Sequence, residues 1–439
     1  MSDRLRGELR LPGDKSMSHR ALLYAALAEG ETLVTGAGDG HDVRSTASLI
    51  AALGASVSRE QTTLSDAPGT ARWRVRSGGR RSLRPATTPL DCGNSGTSMR
   101  LGAGLVAGIP GTHTLTGDAS LQRRPMARVL EPLEAMGARA VGSGDEGARA
   151  PLTITTDGSL RSVTWTPSTP SAQVKGCVLL AALAANGESS YREAVATRDH
   201  SERMLSARGA LIRTTRGVDG TTVTIAPGPL SALPHVTIPG DPSSAAFWLV
   251  AGSLHPNADL LVRDVSLNPT RRHSIDLLRR MGARIDEFPH PDTGSGEPVG
   301  DLRVRSAALH GIEMSATDVA MAIDEVPILS LAAAMASGAS SIRGAGELRA
   351  KESDRIAGIA AGLAALGLSI TVVGDDLHFA GSGRPASGAT AALADHRLAM
   401  TFAIAGLVAG VEVTVDDPGA AAVSYPTFYE DLARIGAAA

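Results

Sequence analysis

Three stretches of the C-terminal half carry carboxylates, two of them beside cations, at spacings that suit acid–base work on an anionic substrate. Asp324 and Glu325 form an acid pair in AIDEVP, just before an apolar run that includes Ile328 and Leu329. Lys351, Glu352 and Arg355 follow in RAKESDR, where Lys351 and Arg355 share one helical face at i, i+4. Glu352 and Arg355, at i, i+3, equally match an ordinary helix-surface pair. Asp395-His396-Arg397 completes the set, and each of these phrases also fits a solvated helix end. A carboxylate beside a tunable amine is what proton transfer at neutral pH requires.

The N-terminal half offers anion-binding groups. LPGDKSMSHR places Lys15, Ser16 and Arg20 around a loop-to-helix junction, where free backbone amides favour anions. It lacks the GxxxxGK[ST] spacing of a nucleotide phosphate loop, and a capped helix start with a basic surface would look similar. DCGNSGTSMR sets Gly96 among amide and hydroxyl donors and lets the backbone approach a ligand closely; a plain tight turn fits as well. GDASLQRRPM puts Arg123 and Arg124 just before a helix, a setting that suits a carboxylate or phosphate. Ser171-Ala172-Gln173 opens an apolar helix with a hydroxyl and an amide, which is also an N-cap pattern. Thr197-Arg198-Asp199-His200 precedes a further helix.

Lysine usage singles out some of these phrases. The chain has three lysines, Lys15, Lys175 and Lys351, and the other 39 of its 42 cations are arginine. Lysine is a compact point charge with a shiftable pKa, whereas arginine is a permanently charged fork. All three lysines fall inside or just beyond the motifs above, Lys175 two residues after Gln173.

The elements that must position these residues repeat along the chain. A helix-ending phrase of glycine and a usually small residue, normally preceded by an apolar one, recurs at Gly54, Gly137, Gly209, Gly282, Gly367 and Gly436. Each is expected to be a left-handed helix-terminating glycine that leads into a strand. Interleaved with it, small-residue helices run through glycine into β-rich segments, as in AALAEGETLV from Ala25. Similar copies start near Ala181, Ala332 and Ala403, with looser ones near Gly104 and Val250. Six α/β units in 439 residues suggest two domains of three units, since the polar end caps of a solenoid are missing. The proline- and glycine-rich stretch Pro234 to Pro242 interrupts the period and is the expected junction. With aromatic residues at 3%, the cores must be packed from Ala, Val, Leu and Ile.

A formal net charge of −3 gives no electrostatic reason to expect nucleic-acid binding. The apolar stretch from Leu398 to Val415 is broken by Gly406, Gly410 and Glu412, so it reads as a buried helix and a strand, not a membrane span. The charged start MSDRLRGELR is unlike a signal peptide, and Cys92 and Cys177 have no disulfide or metal-ligand pattern. A cytoplasmic protein without metal is expected.

Taken in order, LPGDKSMSHR, GNSGTSMR, RRPMAR, SAQVKG, DEVP, KESDR and DHR resemble the enolpyruvyl transferases, and among them the EPSP synthase family. The matches run from residue 11 to residue 397 and are specific as a set. The resemblance implies a two-domain inverse α/β prism, each domain made of three βαβαββ-like repeats with helices buried inside sheets. Residues 14–237 would form one domain and residues 1–13 with 238–439 the other, with the active site in the cleft between them. Such enzymes are clamps that close over substrate and exclude water.

What the resemblance implies for function is transfer of the enolpyruvyl group of phosphoenolpyruvate to the 5-hydroxyl of shikimate 3-phosphate, by a monomer with no cofactor. Lys15, Ser16, Arg20, Ser171, Ala172, Gln173, Arg198, Asp324 and Lys351 would hold shikimate 3-phosphate. Lys15, Gly96, Arg124, Gln173, Arg355 and Arg397 would hold phosphoenolpyruvate. Asp324 would act as base and Glu352 as acid, assisted by Lys15. Lys175, with no implied contact, is expected to tolerate arginine. Glyphosate would compete at the phosphoenolpyruvate site, and glycine at position 96 implies a sensitive enzyme.

The chain departs from the family pattern at Glu347, where Asn is common, at His200, where Tyr is common, and near Val423, where a Lys is common. The related UDP-N-acetylglucosamine transferases carry a reactive cysteine that the stretch Gly117 to Arg128 lacks. A non-catalytic phosphosugar binder would not need Asp324, Glu352 and Lys15 together, whereas a transferase for another phosphorylated alcohol would.

Overall fold

The structure, a computed structural model, describes residues 4–64, 66–144, 147–291 and 296–437. Its apolar side chains gather into two large cores. One is built from residues between Met17 and Ile238, and the other from Leu5, Leu9 and Leu11 together with residues between Ala245 and Ile435.

Each core is walled by three small sheets that share one pairing pattern. In the clearest example, Ser189–Glu193 pairs in parallel with Thr164–Trp165 and antiparallel with Gly220–Ile225, which in turn pairs with Ile212–Gly217. Five sheets follow this order among the described residues, and in the sixth only the parallel pair Gly388–Thr390 and Val413–Val415 forms. The parallel strand is usually lent by the preceding unit. Ala28–Gly38 instead receives His235–Thr237 from the far end of its half, and Ala258–Ser266 receives Leu5–Arg10 from the start of the chain.

Inside the sheets run six helices that are buried on nearly every face. They are Lys15–Leu27, Gly96–Ala107 and Ala172–Ala182 in one core, and Pro242–Leu254, Val326–Met335 and His396–Ala409 in the other. A helix apolar all round belongs in a core, and the abundance of Ala and Gly lets these approach closely. At Gly104 a Cβ would come within 2.2 Å of the Cys177 carbonyl oxygen, so only glycine permits that helix contact. Each helix then runs directly or by a short turn into the leading strand of its sheet, as the repeated Ala-to-strand phrases predict.

Five of the six repeat glycines, at positions 54, 137, 209, 282 and 367, have the expected left-handed φ between 76° and 104°. Gly436 differs: it lies within the helix Phe428–Ala437, and its φ is not left-handed. Arg208, which occupies the usually apolar position of its copy, is nevertheless 1% exposed, with its guanidinium 5.8 Å from the centroid of the Tyr24 ring.

The chain passes between the cores twice, at residues 11–14 and 238–241, and the two passages lie against each other. Asp14 N–H donates to the Pro239 carbonyl at 2.8 Å, and Asp241 N–H donates to the Pro12 carbonyl at 3.0 Å. Gly13 is required there, because a Cβ would fall 1.9 Å from the Gly36 carbonyl oxygen.

Candidate active site

The first turns of the six buried helices carry most of the chemically distinctive phrases. Short polar caps start five of them. Asp14 accepts from Met17 N at 2.8 Å, Ser95 from Ser98 N at 3.0 Å, and Ser171 from Val174 N at 3.4 Å. Asp241 accepts from Ser243 N at 2.8 Å and Asp395 from Arg397 N at 2.9 Å. Ser171 is thus a helix cap, as its sequence pattern allows.

From these turns the side chains interlock within each half and across the gap. Arg20, 2% exposed, donates to Ser201 Oγ at 2.8 Å, to Ser16 O at 3.0 Å and to Ala172 O at 3.4 Å, so one guanidinium joins two of the predicted segments and the helix that follows a third. Gln173 donates to Thr97 Oγ1 at 2.9 Å and accepts from Arg100 at 2.6 Å. Of the two arginines ahead of the helix Ala127–Ala135, Arg123 is exposed, whereas Arg124 is buried and bonded to Asn94 Oδ1. A Cβ on Gly96 would lie 2.9 Å from an Arg100 nitrogen and 3.3 Å from one of Arg124.

Asp324 is the focus of the opposite wall. Its carboxylate lies 2.6 Å from Arg198 of the other half, 3.3 Å from Lys351 Nζ and 3.6 Å from an Arg355 nitrogen. Burial by itself would raise this carboxyl, but Lys351, Arg198, Arg397 and Arg355 together hold it well below the usual range. Glu352 behaves alike. Its carboxylate sits 2.6 Å from Arg355 and 3.8 Å from Arg124 across the gap, and Arg355, His396, Arg124 and Lys15 outweigh its burial. Arg355 is 1% exposed and fixed by Asp395 at 2.7 Å. Arg397, at 6% exposure, has no carboxylate within salt-bridge distance among the described residues.

Lys15 Nζ lies 3.1 Å from Asp42, and its backbone N–H donates to Asp241 at 3.1 Å. The cluster therefore brings together most of the charged residues singled out by sequence, while Arg123 stays exposed and Lys175 lies apart with Glu193 and Glu202. Its cations are Lys15, Arg20, Arg124, Arg198, Lys351, Arg355 and Arg397, balanced in part by Asp324 and Glu352.

Four further residues belong to the cluster without having been assigned a role from sequence. Arg100 lies one helical turn beyond Gly96, and burial beside Arg124 and Arg128 pushes its guanidinium down to about 10. Its place in GNSGTSMR was the available signal. Asp395 and His396 stand in the DHR phrase; both His396 ring nitrogens are buried without a protein partner, and burial depresses its pKa to about 3. Asp42, the partner of Lys15, stands in the first turn of a helix with no distinctive motif, so sequence carried no sign of it.

Lys175 has a setting that the sequence did not show. It is 1% exposed, with Nζ 2.9 Å from Glu193 and 2.7 Å from Glu202, and so has two buried ionic partners. The departures from the family pattern also acquire physical settings. Glu347 pairs with Arg128 across the gap at 2.9 Å, and buried His200 holds Glu297 at 2.7 Å. The Val423 carbonyl packs on Gly40, where a Cβ would lie 2.3 Å from its oxygen.

Among the described residues, one group of potential metal ligands stands apart from these phrases: Asp264, His290 and Asp301 have ligand atoms within 4.8 Å of one another. Arg10 at 3.1 Å from Asp264 and Arg263 at 2.7 Å from Asp301 neutralise it, so it reads as an ion-pair network. No helix among the described residues is long and apolar enough to cross a membrane.

The chain and its fold have close counterparts. The chain is 47% identical over 435 residues to a 3-phosphoshikimate 1-carboxyvinyltransferase of Synechococcus sp. (strain WH7803), covering 98% of this chain and 96% of the relative. A relative of the same description from Gloeobacter violaceus is 48% identical over 434 residues, covering 98% and 97%. The solved EPSP synthase of Acinetobacter baumannii superposes with a TM-score of 0.84 at 37% identity, covering 98% of this chain and 95% of that one. The enolpyruvyl transferase NikO of Streptomyces tendae, at 21% identity and a TM-score of 0.77, covers 99% and 95% and shares the fold. The family model described as EPSP synthase (3-phosphoshikimate 1-carboxyvinyltransferase) matches residues 1–432, and the chain belongs to that family.

Proposed function

We propose that this protein transfers the enolpyruvyl group of phosphoenolpyruvate to the 5-hydroxyl of shikimate 3-phosphate, releasing phosphate, in the pathway to aromatic amino acids. The observation that carries this reading is the surplus of buried and half-buried cations around two carboxylates, set within a chain of this family. Two highly anionic substrates repel each other, and fixed cations in a site of low polarity offset that repulsion best.

In this reading shikimate 3-phosphate is held by Lys15, Ser16, Arg20, Ser171, Ala172, Gln173, Arg198, Asp324 and Lys351. Phosphoenolpyruvate is held by Lys15, Gly96, Arg124, Gln173, Arg355 and Arg397. Asp324 takes the proton of the 5-hydroxyl as its oxygen bonds to C2 of phosphoenolpyruvate, and Glu352, helped by Lys15, delivers a proton to the methylene carbon. The tetrahedral intermediate then loses that proton and the C2–O bond to phosphate, restoring the double bond.

The electrostatics suit substrate-triggered chemistry. In the free chain both carboxyls are held down by neighbouring cations. Substrate phosphates and carboxylates that engage Arg198, Lys351, Arg124 and Arg355 withdraw that grip. The carboxyl pKa values then rise, which strengthens Asp324 as a base and allows Glu352 to carry a proton.

The proposal includes the two domains as 14–237 and 1–13 with 238–439, supported by the separate cores. It also includes a cytoplasmic monomer working without a cofactor, since one chain supplies all the groups named. The test is phosphate release on mixing purified protein with both substrates. Release with phosphoenolpyruvate and a different phosphorylated alcohol, but none with shikimate 3-phosphate, would leave the reaction class standing and refute the acceptor.

A further inference from the structure

Arg271 lies outside every motif that the reaction uses, in the loop LNPTRR after the strand Ala258–Ser266. It is 5% exposed, and one of its guanidinium nitrogens meets three groups. These are Asp241 Oδ1 at 2.9 Å, Ser243 Oγ at 2.8 Å and Asp14 Oδ2 at 3.4 Å.

Asp14 and Asp241 end the two passages between the cores and cap the helices Lys15–Leu27 and Pro242–Leu254. The second oxygen of Asp241 accepts the Lys15 backbone N–H at 3.1 Å. On the other side, Ser243 Oγ donates to Glu325, the residue next to Asp324. A continuous line of polar contacts thus runs from the Lys15 backbone through Asp241, Arg271 and Ser243 to the segment that carries the base.

We infer that Arg271 is a positioning residue, which sets Lys15 and Asp324 in register by joining both passages to Glu325. Without its charge, Asp14, Asp241 and Glu325 would be three buried carboxylates facing one another with His200, 3.9 Å from Asp14, as the nearest further group of basic character. Such a cluster must rearrange or take up protons, and either response moves the helix start beneath Lys15. A lysine keeps the charge but replaces the planar fork by a compact point on a flexible stem, so it holds the three partners less firmly.

This inference rests on the proposed reaction for the meaning of Lys15 and Asp324, but its test has an arm that needs no turnover. The three lysines allow a small acylating reagent to be followed residue by residue by peptide mass spectrometry. Lys175, enclosed by Glu193 and Glu202, serves as the internal sign of an intact fold. In Arg271→Met, labelling of Lys15 relative to Lys351 should change at least about threefold while Lys175 stays protected. Turnover should fall roughly tenfold or more, with the shikimate 3-phosphate Kd within about threefold, as expected for misplacement of reacting groups. Arg271→Lys should recover part of both. An unchanged labelling ratio with unchanged turnover overturns the inference, as does an equal loss of binding and turnover. If Arg271→Met exposes Lys175, then Arg271→Lys and Ser243→Ala decide: normal turnover and labelling in both would overturn it. Absence of turnover in the unmodified protein would refute the proposed reaction, while the labelling ratio still judges Arg271.

Discussion

Arg198 and Asp324, 126 residues apart in sequence, meet at 2.6 Å across the gap between the two cores. After Lys351, the arginine is the next cation that holds the carboxyl below its usual range, and in the proposed reaction it also binds shikimate 3-phosphate, so base and substrate share one cation. Asp324→Asn keeps the size of the side chain and releases Arg198 and Lys351. Turnover should collapse while shikimate 3-phosphate binds within about 1.4 kcal/mol, a factor of ten, of the unmodified protein. Equal losses in calorimetric binding and in steady-state turnover would make Asp324 a binding residue only.

The lysines call for different outcomes. Lys15→Arg keeps the charge but brings a non-titrating fork to a site where Nζ already pairs with Asp42. Turnover is expected to fall at least about 100-fold, in line with loss of a positioned acid–base group.

Lys175→Arg should instead act on stability. The larger head group overpacks a pocket closed by Glu193 and Glu202, at a cost of about 1–3 kcal/mol. Lys175→Met, which strands both carboxylates, should cost about 3–5 kcal/mol. Urea denaturation measures both, and two variants as stable as the original would show that the buried triad is dispensable.

Gly96→Ala tests the phosphoenolpyruvate pocket. A methyl group would press on the ends of Arg100 and Arg124, so it moves guanidinium groups as well as filling space. Glyphosate, which is longer than phosphoenolpyruvate, should lose more affinity than the smaller substrate, with overpacking costing about 1–3 kcal/mol. Inhibition constants for glyphosate set beside the phosphoenolpyruvate KM give the comparison. Equal changes in both would place the bound of the pocket elsewhere.

Asp14 links stability to acid. Burial by itself would raise its carboxyl, but Arg271, His200, the Met17 amide and Arg198 bring it down to about 2. A carboxyl held lower in the folded chain than in the unfolded one, where it titrates near about 3.9, contributes stability at pH values above that figure. The contribution, about 2 kcal/mol, is lost as the pH falls towards about 2. The stability difference between the unmodified protein and Asp14→Asn should therefore be flat above about pH 5 and narrow below about pH 4. A difference independent of pH down to 2 would contradict it.

Much of the site was legible because it lies at helix starts, where Asp, Ser, Gly and cations cluster within a few residues and leave readable phrases. The repeat was legible for a similar local reason, since a left-handed glycine closes five units. What sequence did not show was pairing at long range. Asp42 meets Lys15 from a helix with no motif, and Glu193 and Glu202 reach Lys175 from separate elements. Gly436 shows the converse, for the same short phrase sits inside a helix. The arginine at position 208 likewise kept its repeat position buried by laying its charge near the Tyr24 ring, a solution that residue type alone does not announce.

The two passages between the cores bond to each other at Asp14–Pro239 and Asp241–Pro12. A single tether would let one half swivel in every direction about the other. Two tethers fastened side by side restrain twisting and leave rotation about a line through them as the easiest relative movement. Lys15 begins one residue from that line, so the halves can swing while its backbone stays almost in place. A swing of that kind would bring the facing walls together beside Lys15, much as the blades of shears meet beside their pivot.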